Sequence, residues 1–105
     1  MSSSFDHFKG KVILHAQLTA QEGQAGRVQA ILKDIQEDVL AGKEPGCLTF
    51  RFARDGNEFL AFEEYENAAA VKTHNDGPKF QIFAAAVHSG TLLVGGPKVA
   101  FYEEV

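Results

Sequence analysis

Two apolar runs meet at Asp55-Gly56, and they constrain this chain more than any other feature. Residues 48–53 and 58–65 are rich in Phe, Leu and Tyr, and the Asp-Gly pair between them suits a tight type I′ turn, because glycine accepts positive φ. Strand pairing then decides which side chains share a face. With a two-residue loop, Phe52 is expected opposite Phe59 and Phe50 opposite Ala61. One face would carry Leu48, Phe50, Phe52, Phe59, Ala61, Glu63 and Tyr65; the other would carry Thr49, Arg51, Leu60, Phe62 and Glu64.

The segments around this hairpin fall into a readable order. Residues 11–18 (KVILHAQL) form a short β-branched-rich run, read as a first strand. Val28, Ile31, Leu32, Ile35 and Val39 then recur at spacings of three and four, the stripe of an amphipathic helix. Thr19 and Glu22 have capping-box spacing before it, and Gly42 and Pro45 end it. After the hairpin, Asn67 is a good N-cap for a short helix over residues 68–74. Asn75-Asp76-Gly77-Pro78 breaks that helix, and Pro78 opens another that Gly90 stops. Residues 91–94 and 98–102 read as strand, interrupted by Gly95-Gly96-Pro97, where proline favours an edge, bend or bulge. The order is β-α-β-β-α-β with the second helix broken in two. That predicts an α+β, ferredoxin-like fold: an antiparallel sheet with the helices on one face.

Composition narrows the function. A chain of 105 residues makes one domain, read over 1–105 with a loose N-terminal segment over residues 1–9. The net charge of −4 argues against a nucleic-acid or anionic-membrane partner, either of which needs a basic face. A single cysteine, Cys47, excludes an internal disulfide and a cysteine-cluster metal site. It is read as a small buried apolar residue rather than a reactive thiol. The four histidines show no metal spacing and no phosphate loop follows a strand, so neither a metal nor a nucleotide cofactor is expected. No apolar run is long enough to span a bilayer, and the start (MSSSFDH) lacks the basic and apolar regions of a signal peptide. The expectation is a cytoplasmic protein.

The helix-free face of the sheet is informative. Leu60, Phe62 and Ile13 are expected there, and an apolar sheet face left in water marks an interface. Face-to-face homodimerisation is therefore expected, the alternative being a half-polar solvated face. His15 is expected on the same face.

The sequence Glu44-Pro45-Gly46-Cys47-Leu48 is followed by Phe59, Glu63 and Tyr65 in an F-x-x-x-E-x-Y pattern. Ala69-Ala70-Val71 with His74, and Pro78 with Phe80, come next. Together these spacings resemble the antibiotic biosynthesis monooxygenase domain family, from the first strand to about Phe83. The resemblance implies a dimeric α+β barrel and oxygenation of quinols, anthrones or similar electron-rich phenols, with dioxygen as co-substrate and no cofactor. Some relatives degrade haem through a histidine and an asparagine; the matching positions here are Ala84 and Ala16, so haem is not expected. The family's aromatic after the strand glutamate is often Trp, whereas here it is Tyr65, whose phenol donates and accepts hydrogen bonds.

The candidate catalytic residues are His74, Tyr65 and Glu63. Ala70 and Val71 precede His74 by four and three residues, which turns it toward the apolar side of its helix. It is either a base that works near neutral pH or a structural histidine bonded to a backbone carbonyl. Glu63 shares a strand face with Phe and Leu, where a carboxylate is costly unless paired or protonated. It could orient His74, hold a substrate hydroxyl, or bond a helix N-terminus or a backbone amide. Tyr65 could bond a substrate oxygen or be a core ring with a surface hydroxyl. Phe50, Phe52, Phe59, Phe80 and Phe83 are candidates to wall a cavity that takes a small aromatic substrate, or simply to be core.

In the expected reaction, His74 deprotonates a phenol or anthrone and the anion reacts directly with dioxygen. The rival readings are a cofactor-free cyclase or isomerase, a non-catalytic binding or stress-response module, and an RNA-binding domain. The last needs cations on the open face, and the hairpin offers only Arg51 there.

Overall fold

The computed structural model describes residues 4–105. Among them are four strands and three helices: β1 (Val12–Thr19), α1 (Ala25–Leu40), β2 (Cys47–Asp55), β3 (Glu58–Tyr65), α2 (Ala68–Asp76), α3 (Pro78–His88) and β4 (Lys98–Glu103). The sheet is antiparallel with strand order β2-β3-β1-β4, the ferredoxin-like arrangement expected from the element order. Alternate residues of β1 (Val12, Leu14, Ala16, Leu18) point into the core, which they share with Val28, Leu32 and Ile35 from the α1 stripe.

The helix boundaries follow local chemistry. Asn67 caps α2, its side chain accepting from the Ala70 N–H at 2.9 Å. Gly77 separates α2 from α3, and Pro78 stands at the first turn of α3. The capping box expected at Thr19 does not form. Thr19 belongs to β1 and donates its hydroxyl to Glu58, while α1 starts after Gln24 without a side-chain cap.

The hairpin differs from expectation in two ways. Asp55 pairs with Glu58, leaving Gly56-Asn57 as the loop, so Phe52 faces Ala61 and Phe50 faces Glu63. The shift is two residues, so the side chains from Thr49 onward keep their faces. Of the loop pair only Gly56 has positive φ, at 61°, which fits a type II′ turn with glycine first rather than type I′. A register irregularity between Cys47 and Thr49 also turns Leu48 out to solvent and puts Cys47 in the core.

Residues 91–94 do not form the expected strand. They contribute a single bridge, Leu93 to Ala20. Gly90 and Gly95 both have positive φ, so the chain turns at either side of a segment too short for a ladder. Leu92 and Leu93 are nevertheless buried, and Gln21 donates to the Gly90 and Leu93 carbonyls.

At the N-terminus, residues 1–3 of the expected loose segment lie outside the described residues. Residues 5–10 are docked. The Phe5 ring lies 5.0 Å from that of Phe101, Phe8 packs against the core, and Glu103 accepts from the Lys9 and Gly10 N–H groups at 2.7 Å each. Those two bonds hold the Glu103 carboxyl below the usual range. None of the helices is long and apolar enough to cross a membrane, among the described residues.

Candidate active site

A cavity of about 280 Å3 lies between the inner sheet face and the helices. Its walls are almost wholly apolar: Leu14 and Ala16 from β1, Leu32 and Ile35 from α1, Phe80 and Phe83 from α3, Val99 and Phe101 from β4. Glu63, His74 and Asn75 are the polar side chains among its lining residues. Neither Lys nor Arg reaches it.

His74 sits in the last turns of α2 and is 4 % exposed. The rings of Tyr65 and Phe80 lie 5.5 Å from it and that of Phe50 lies 6.0 Å away, so the imidazole is clamped on several sides. Its Nδ1 is 2.5 Å from Glu44 Oε1. Its Nε2 is 3.9 Å from Glu63 Oε1, beyond hydrogen-bond distance.

Glu63 lies on β3, two residues before Tyr65, so both project to the inner face. The Tyr65 hydroxyl donates to Glu63 Oε1 at 2.5 Å. Burial pushes the Glu63 carboxyl above the usual carboxylate range, against the opposing pull of the Tyr65 hydrogen bond and of His74 when it is protonated. Burial, followed by the charge and hydrogen bond of Glu63, likewise raises the Tyr65 phenol, which stays un-ionised at neutral pH. Burial first, then Glu63 and Glu44, push the Cys47 thiol up to about 12, so it too is neutral.

The raised Glu63 carboxyl makes stability depend on pH. Between the unfolded pKa near 4.5 and the higher native one, the folded chain holds the proton more tightly than the unfolded one, so stability falls as pH rises across that window. Glu63→Gln keeps an acceptor for Tyr65 and cannot ionise. Urea denaturation at pH values within and above the window should show the variant gaining on the native chain as pH rises. An advantage that does not change with pH would refute the assignment.

The sequence-predicted residues separate into two groups. His74, Glu63, Phe50, Phe80 and Phe83 all line the cavity. Tyr65 is 0 % exposed and does not line it; its hydroxyl is committed to Glu63. Phe52 and Phe59 also lie outside the wall, because they sit toward the hairpin tip. There Phe52 packs on the core edge and Phe59 lies beneath the Arg54 guanidinium, 5.5 Å from its centre. Glu63 was one candidate to orient His74, but the carboxylate within hydrogen-bond distance is Glu44. Sequence reasoning gave Glu44 no role, although it opens the E-P-G-C motif; the contact spans 30 residues. Asn75, next to His74 on α2, was likewise missed. Of the two positions weighed for haem, Ala16 lines the cavity and Ala84 does not. Among the described residues, no group of three or more His, Cys, Asp and Glu side chains is arranged to hold a metal ion.

The antibiotic biosynthesis monooxygenase family model matches residues 11–86, and the chain belongs to that family. Solved structures agree. A candidate antibiotic biosynthesis monooxygenase from Caulobacter crescentus is 27% identical, with a TM-score of 0.80 over 93% of this chain and 92% of its own. One of the same description from Deinococcus radiodurans is 26% identical, with a TM-score of 0.75 over 90% and 92%. Rv0793 from Mycobacterium tuberculosis, 23% identical with a TM-score of 0.80 over 90% and 95%, shares the fold. No curated protein sequence matches this chain.

Proposed function

We propose that the chain is a cofactor-independent monooxygenase acting on uncharged quinol-, anthrone- or phenol-type substrates. The carrying observation is the apolar cavity lined by both His74 and Glu63, with His74 Nε2 and Glu63 Oε1 3.9 Å apart. A flat ring is held against Phe50, Phe80 and Phe83, with its hydroxyl toward His74. The imidazole takes the proton, and Glu63, kept in place by Tyr65, lies beside the developing anion. The electron-rich anion gives one electron to dioxygen. The radical pair recombines to a peroxide, which breaks down so that one oxygen atom stays in the product and the other leaves as water. The protein supplies positioning and exclusion of water. With no cation in the wall, a carboxylated or sulfonated analogue would bury an unpaired charge and should bind far more weakly.

Oxygen uptake with a panel of quinols and anthrones, in chelator-treated and flavin-free buffer, tests this. Protein-dependent uptake with at least one neutral member is expected; none with any member would overturn the reading. The proximity of two proton-handling groups, His74 and Glu63, also suits an isomerase or cyclase, for which turnover would persist without oxygen.

The same reading includes a homodimer through the open sheet face. Leu60, Phe62 and Tyr102 are exposed on that face, with Ile13 half-buried beside them. Phe62→Asp should shift the chain from dimer to monomer in sedimentation velocity without unfolding it. A native chain that already sediments as a monomer would contradict the proposal.

A further inference from the structure

We propose that Glu44 is a positioning residue, which keeps the His74 proton on Nδ1 and so presents a bare Nε2 to the cavity. The chemistry this serves rests on the function proposed above; the geometry and its test do not.

The carboxylate of Glu44 meets Nδ1 at 2.5 Å. An ionised carboxylate only accepts, so the nitrogen facing it carries the hydrogen, and a neutral imidazole has only one N–H. The other nitrogen is then a free acceptor. On that side the nearest carboxyl oxygen, Glu63 Oε1, is 3.9 Å away and already accepts from Tyr65. Ring contacts with Phe50, Tyr65 and Phe80 oppose a flip of the imidazole.

Glu44 is itself held in place. Its carbonyl accepts from the Cys47 N–H at 2.9 Å, the Gly46 carbonyl accepts from the Glu66 N–H at 2.9 Å, and Gly46 abuts Ala70 of α2. The Glu44 side chain is 20 % exposed against 4 % for His74, and it lines two outer clefts but not the cavity. When the ligand O–H bond breaks, its electron pair stays on oxygen and a new N–H bond forms at Nε2. The resulting imidazolium has its charge matched by Glu44. Glu44, Glu63 and Tyr65 are the titratable groups in close contact with the imidazole, and Asp38, Lys43, Cys47, Glu66 and Lys79 line the clefts it shares with Glu44.

Nitrogen NMR of the ligand-free protein with isotope-labelled histidine reads the tautomer directly. At mildly alkaline pH the native chain should show His74 with a protonated Nδ1 and a bare Nε2, assigned by the signals missing in His74→Gln. In Glu44→Gln the amide can donate to Nδ1, and the population should move toward Nε2–H. With a substrate from the oxygen-uptake panel, kcat of that variant should fall by about 100-fold or more with KM little changed. A native His74 that carries its proton on Nε2, or on both nitrogens, overturns the proposal, as does a tautomer unchanged in Glu44→Gln. If Glu44→Gln fails to fold, the native spectrum alone decides. If no substrate turns over but the tautomer is as stated, the oxygenase reading fails and the role of Glu44 stands.

Discussion

Replacing His74 by glutamine should lower turnover by a factor of roughly 10²–10⁴, the usual contribution of a positioned general base. The imidazole is the one group in the cavity wall with a nitrogen free to take a proton; Asn75 is no base at neutral pH, and burial disfavours the ionised form of Glu63. Glutamine fills similar space among Phe50, Tyr65 and Phe80, and Glu44, being partly exposed, can be hydrated when its partner is lost. The fold should therefore survive, which a melting curve checks, while kcat collapses. A variant within a few-fold of native turnover would remove His74 from the chemistry.

Gly46→Ala should destabilise the chain by about 1–3 kcal/mol, the usual cost of forcing an extra methyl into a packed site. An added Cβ would stand 2.6 Å from the Ala70 Cβ, with the Ala70 Cα only 3.6 Å away. A methyl fixed to a helix backbone cannot rotate aside, so either the loop before β2 or α2 must move. The loop carries Glu44 and the helix carries His74, so their contact should open and activity should fall further than stability alone explains. Gly26→Ala in α1 is the control. Nothing lies within 4 Å of its added Cβ, and at this exposed first-turn position alanine should change stability by no more than about 0.5 kcal/mol. Urea denaturation of both variants separates the two cases; equal effects would contradict the close approach at Gly46.

These two positions show what a sequence discloses and what it hides. The α1 stripe and the Asn67 cap are local patterns, and they appear in the structure near where periodicity and capping chemistry place them. The hairpin pairing moved by two residues because Gly56 rather than Asp55 leads the turn, yet the faces survived because strand periodicity is also two. The irregularity that exchanged Leu48 for Cys47 has no local signature in the sequence. At 91–94, β-branched and apolar content suggested a strand, but the turns at Gly90 and Gly95 left no partner of useful length.

The site divides the same way. The helical spacing of Ala70, Val71 and His74 was enough to turn the histidine inward. Which Phe rings reach the cavity depends on how far along the hairpin it extends, so Phe52 and Phe59, nearer the turn, were indistinguishable from Phe50 until the helices were in place. Glu44 was invisible for a stronger reason: its partner is brought to it only when the loop before β2 packs on α2.

Calorimetric titration with a neutral naphthol, on the native chain and on Ala16→Leu, addresses the cavity itself. Ala16 lines the hollow from β1, and leucine there would occupy space the ligand needs. Saturable one-to-one binding to the native chain, lost in a folded Ala16→Leu variant, is the predicted result. Equal affinity in both chains, or no binding to the native one by any neutral ring of that size, would contradict a ligand seated beside His74.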